Sequence, residues 1–160
     1  MKFILFILIL FSVQSTAQSL KNNLDYVGSI DYDSNLDKLE FKLCNPQYIY
    51  QYPSGGYGLL YEGEMYSLKK IFFDEYINQN IKNQSGMIRI QFIVNCNGEI
   101  DRFRMISSDK NYNSILFDKK ITSQLLAITK SLKGWGAKNI DYYQYLIFKI
   151  KDGNLIEILP

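Results

Sequence analysis

The 160-residue chain has 18 basic and 16 acidic residues, no histidine and two cysteines. Near-neutral charge, with Lys69-Lys70 and Lys119-Lys120 as isolated pairs rather than a basic stripe, argues against a nucleic-acid binder. The missing histidine removes Ser-His-Asp and Cys-His catalysis and the usual zinc ligands.

Residues 1–17 read as a cleavable signal peptide: Lys2, an apolar run over 3–13, then Ser15-Thr16-Ala17 as the small-residue cleavage site. The run is well short of the roughly 20 residues that span a bilayer. No later apolar run is long enough either, so no transmembrane helix is expected. One basic residue, Lys2, lies in this leader, so the chain beyond it carries 17 bases against 16 acids. The remainder is one domain by length. Export makes Cys44 and Cys96 candidates for a disulfide closing a loop of about 50 residues, worth roughly 4 kcal/mol in the chain-entropy account. The alternative is two buried, inert thiols.

Residues 18–37 are polar and acidic and read as a mobile leader or a solvated arm. Asp31, Asp33 and Asp37 lack the glycine and terminal glutamate of a calcium loop in register, so no metal site is assigned. Residues 39–44 alternate like a strand, and Asn45-Pro46 breaks it. Tyr48, Tyr50 and Tyr52 alternate before a turn at 53–56, which suits a short strand or hairpin. These tyrosines form an aromatic surface for sugar or peptide if exposed, or pack on a sheet edge if not.

A helix is predicted over 67–80, with Leu68, Ile71, Phe72 and Tyr76 at helical spacing and Ser67 or Glu64 at its start. Asn80, Asn83 and Gly86 end it. Residues 86–108 then form a hairpin. Ile88, Ile90, Phe92 and Val94 make one apolar face, 95–98 is turn chemistry, and Ile100, Phe103 and Met105 return. Ile100 is out of phase with Phe103 and Met105, which predicts a bulge near Asp101. A second helix is predicted over 115–132 on the stripe Ile121, Leu125, Ile128 and Leu132, stopped by Gly134. Trp135 is expected to fold back on the core. Residues 141–151 form a strand with Tyr142, Gln144, Leu146, Phe148 and Ile150 on one face and Tyr143, Tyr145, Ile147 and Lys149 on the other. Asp152-Gly153 turns it into a short strand over 154–159.

The predicted fold is α+β: two helices packed on one face of a three- to four-stranded antiparallel sheet, in the order α-β-β-α-β-β. An N-terminal extension over 18–63 with Tyr-rich strands precedes a domain over 64–160. Carboxylate neighbours such as Asp74-Glu75 and Glu62/Glu64 read as solvated surface rather than acid–base pairs. No catalytic residue and no cofactor is assigned.

The order and spacing of these parts resemble the TonB C-terminal domain family in its secreted, unanchored form. The resemblance rests on Gly86 before the alternating strand, Gly98 with Ile100 after the turn, Ser108 ending the second strand, the second helix running into Trp135, and Phe148-Lys149-Ile150. Tyr76-Ile77 and Trp135-Gly136-Ala137 depart from that family's usual Tyr-Pro and Trp-x-Pro elements. With three prolines and a cleavable leader, the chain lacks the spacer and anchor of an energy transducer. The resemblance implies a periplasmic or secreted binding module whose partner is an extended segment of an envelope protein, an outer-membrane receptor among the candidates. In the family's mode a partner strand adds to the edge of the third strand, which nominates Tyr143, Tyr145, Ile147 and Lys149. The alternative at that edge is that 154–159 already caps it. A separate alternative is a glycan- or cell-wall-associated protein using the tyrosines of 48–66.

Overall fold

The computed structural model describes residues 29–51 and 59–160. The expected signal peptide, the stretch to residue 28, Tyr52 and the 53–56 turn lie outside the described residues. The elements are β1 (Ile49–Gln51), α1 (Glu64–Glu75), β2 (Gly86–Val94), β3 (Ile100–Ser108), α2 (Lys119–Ser131), β4 (Asp141–Lys151) and β5 (Asn154–Leu159). From α1 onward the order is the expected α-β-β-α-β-β. The sheet has five strands rather than three or four, and it is mixed because β1 joins β4 in parallel.

The β2–β3 hairpin forms because alternation puts Ile88, Ile90, Phe92 and Val94 on one face, where each is fully buried. The bulge lies where the phase break put it: pairing jumps from Gln91 opposite Arg104 to Ile93 opposite Asp101, and Arg102 takes φ 58°. This extra residue returns Phe103 to the helix side, its ring 5.5 Å from that of Phe92.

Both helices cover that face. Leu68 and Phe72 of α1 are fully buried, and Phe72 meets Phe148 at 4.8 Å. From α2 come Ile121, Leu125 and Ile128, with Leu132 just beyond its end. Side chains of this size stabilise by about 1.5–3 kcal/mol each when fully buried. Trp135 folds back as expected, 4.9 Å from Tyr61 and 5.2 Å from Phe92.

Helix bounds differ from the sequence expectation. Helix α1 starts earlier, after Gly63, and stops at Glu75 because Tyr76 turns extended. The Tyr76 ring enters the core and its hydroxyl donates to the Gly153 carbonyl at 2.9 Å. Helix α2 starts at Lys119 because the Asp118 carboxylate caps the Lys120 N–H; Ile115 instead bonds back to the Ser107 carbonyl.

Strand β4 is central. It pairs with β2 from Tyr142 opposite Val94 to Ile150 opposite Gly86. Its other edge is shared: β1 lies along 141–143 and β5 along 147–151.

The N-terminal extension corrects two expectations. Residues 39–44 form no strand; the Lys42 carbonyl receives the Asn95 side-chain amide and the Lys38 N–H goes to Asp101, while Phe41 and Leu43 pack on the sheet. Nor are residues 29–37 a solvated arm. Ile30 is buried against Ile93 and Tyr143, and Asp37 is buried in a two-pronged pairing with Arg104. Apolar contact and a charge-assisted fork outweigh the polar composition of this stretch.

Candidate interaction face

The sheet has a back face, opposite the helices, whose residues line up in rows across the strands. Nearest the hairpin turn, Asp101, Ile93, Tyr143 and Gln51 form one row, and Arg104, Gln91 and Tyr145 form the next. Beyond them come Ile106, Arg89 and Ile147, then Ser108, Met87 and Lys149, with Glu157 of β5 beside Lys149.

The first two rows are covered. Ile30, Phe41, Leu43 and Ile49 pack over Ile93 and Tyr143, leaving Tyr143 only 9% exposed. Arg104 grips the Asp37 carboxylate at 2.7 and 2.8 Å and donates to the Asp31 carbonyl at 2.6 Å. That fork holds the Asp37 carboxyl below its ordinary range and the Arg104 guanidinium above its own.

The last two rows are open among the described residues. Met87, Arg89, Ile106 and Ile147 line a groove of about 410 Å³, with Tyr112 at its lip. Ile106 is 58% exposed, at the β3 edge of the groove. The Arg89 guanidinium carbon lies 5.9 Å from the Tyr145 ring centre. Its Nε is covered by neighbouring atoms and has no hydrogen-bond partner among the described residues. Lys149 is engaged by Glu157 at 2.6 Å.

The four nominated strand residues thus divide. Tyr143 lies under the extension, Tyr145 stacks with Arg89, Ile147 lines the groove, and Lys149 is paired at its rim. The main-chain edge beside Ile147 and Lys149 is capped by β5. Among the described residues the outer edges of β1, β3 and β5 have no strand partner, that of β3 apart from a bridge between Ser108 and Ser114 at its end. Of the aromatic surface, Tyr48 and Tyr50 are exposed and meet edge to face at 4.7 Å, while Tyr52 lies outside the described residues.

Sequence reasoning missed Arg89, Met87 and Ile106. Their signal was present: the phase of β2, β3 and β4 that faces away from the helices contains Met87, Ile93, Ile106 and Ile147, too apolar for a solvated face.

Cys44 and Cys96 are joined, as the export reading expected, with Cα atoms 6.0 Å apart. Asp141 lies beside them, but the sulfurs are bonded to each other and its carboxylate already accepts two backbone N–H groups. That donor set is spent and does not fit a metal. Glu62 and Glu64 are exposed, and Asp74 is held by Lys70 four residues earlier. No helix among the described residues is long and apolar enough to cross a membrane. No known family model, curated protein or solved structure matches the chain.

Proposed function

We propose that the chain is a non-catalytic protein-interaction module of the cell envelope, periplasmic or secreted, that binds an extended segment of an envelope protein. The observation that carries this reading is the half-covered back face: two rows sealed by the chain's own extension, and two left open in which Met87, Ile106 and Ile147 surround Arg89. An apolar patch rimmed by polar residues is the usual mark of an interaction surface. The resemblance to TonB C-terminal domains supports the same class of partner, an outer-membrane receptor among them.

The reading takes the open face rather than the β4 edge as the contact, because β5 already lies along that edge. Recovery of envelope partners with Ile106→Asp beside the wild-type chain tests this. Ile106 is exposed, so the variant is expected to fold and to lose the partner. Equal recovery by a folded Ile106→Asp would overturn the reading.

The glycan-binding alternative rests on Tyr48 and Tyr50. An edge-to-face pair offers a sugar less flat surface than two coplanar rings. Peptidoglycan sedimentation of wild type against Tyr48→Ala/Tyr50→Ala decides it: retention by wild type alone would favour the glycan reading.

A further inference from the structure

The chain's own extension shows what the back face accepts. Over the covered rows, a carboxylate (Asp37) forks onto an arginine (Arg104), and apolar side chains such as Ile30 and Phe41 seat on Ile93 and Tyr143. The open rows repeat the host half of this arrangement. Arg89 lies between Ile106 on β3 and Ile147 on β4, directly opposite both in register. What the open rows lack is an acid for Arg89. No carboxylate among the described residues pairs with Arg89, and its covered Nε has no acceptor. The other cation of these rows, Lys149, already has Glu157.

An arginine presents a planar fork of charged donors, and Arg89 has no hydrogen-bond or ion-pair acceptor among the described residues. A guanidinium between two isoleucines is therefore matched by a planar carboxylate arriving with apolar neighbours. We infer that the open half of the back face takes an extended peptide that presents one aspartate or glutamate to Arg89 and apolar side chains to Ile106 and Ile147. This inference rests on the reading of that face as an interaction surface and names the chemistry of its partner. The carboxylate supplies selection, because a peptide without it leaves Arg89 covered and unmatched.

The probe is a lysine-flanked, N-acetylated and C-amidated peptide, Val-Thr-Glu-Thr-Val, beside its twin with glutamine for glutamate. Both are titrated into the full mature chain while amide and methyl resonances are followed by NMR. The expected result is shifts centred on Met87, Ile106 and Ile147, with at least ten-fold tighter binding of the glutamate peptide. That preference is expected to shrink with added salt. Arg89→Gln is expected to bind both peptides alike, at the level of the glutamine peptide. If wild type binds both peptides equally at these residues, Arg89 does not select a carboxylate and the inference fails, while the interaction face stands. If neither peptide shifts these residues, the face itself fails. The wild-type comparison decides both points even if Arg89→Gln does not fold.

Discussion

Asp141 accepts the backbone N–H of Cys96 at 3.0 Å and, through its other oxygen, that of Asn45 at 2.7 Å. One fully buried carboxylate therefore ties together the same two segments that the Cys44–Cys96 disulfide joins. Hydrogen bonds to a charged acceptor are worth about 1.5–3 kcal/mol each. Asp141→Asn keeps the shape but loses the charge and turns one acceptor into a donor facing an N–H. It is expected to lower unfolding free energy by about 1.5–3 kcal/mol in urea titration. Cys44→Ser/Cys96→Ser is expected to cost roughly 4 kcal/mol. The combined variant should lose less than the sum, because both devices restrain one junction.

Acid stability should depend on Asp37. Arg104 lowers its folded pKa below the ordinary 3.8. A depressed carboxyl pKa stabilises the fold fully above the unfolded value, and that contribution disappears as pH falls through the folded one. Urea midpoints of wild type and Asp37→Asn should therefore differ at neutral pH and converge toward the acid end. A gap that persists unchanged at low pH would refute the coupling.

Alkaline stability should depend in part on Tyr76. Burial pushes its hydroxyl up to about 12, and that hydroxyl donates to the Gly153 carbonyl. A raised folded pKa gives stability that is complete below the unfolded value of 10.0 and is lost as pH rises through about 12. Tyr76→Phe is expected to cost about 0.5–1.5 kcal/mol at neutral pH and to flatten the alkaline limb. Burial raises Tyr142 as well, so a residual alkaline limb should remain. Tyrosinate absorbance during the titration reads both.

The hairpin turn is intolerant at Gly98, which has φ 81° and would place a Cβ 2.4 Å from the Trp135 carbonyl oxygen. Left-handed backbone alone costs a residue with a Cβ about 1–2 kcal/mol, and the clash adds to it. Gly98→Ala is therefore expected to destabilise by more than about 2 kcal/mol. Gly136→Ala, whose Cβ would meet nothing nearer than 3.5 Å, serves as the tolerant control. Thermal unfolding followed by Trp135 fluorescence compares them.

Period-2 alternation made β2, β3, β4 and β5 legible in the sequence, bulge included, because one face of each had to be apolar. The stripe from Ile121 to Leu132 did the same for α2. The end of α1 was hidden because Tyr76 fits the helical period and leaves the helix only to reach Gly153, a contact 77 residues away. The extension was misread for a related reason. Asp37 looks like solvent-facing charge until Arg104, 67 residues on, is seen to face it. The candidate site was half legible. Alternation assigned Tyr145, Ile147 and Lys149 to the right face, but which rows are covered depends on where the extension crosses, and no periodicity encodes that.

The divided edge of β4 joins two pairings of very different loop length. Strand β5 reaches it through a two-residue turn, so that pairing closes a minimal loop. Strand β1 comes from more than 80 residues upstream and aligns only with the first three residues of β4. Loop closure is slower and entropically dearer for the distant partner. Of the two pairings on this edge, that of β1 is therefore the costlier to close. The Cys44–Cys96 bond lies just ahead of β1 and fastens the same segment to the hairpin tip, so it shortens the chain path that this pairing must close.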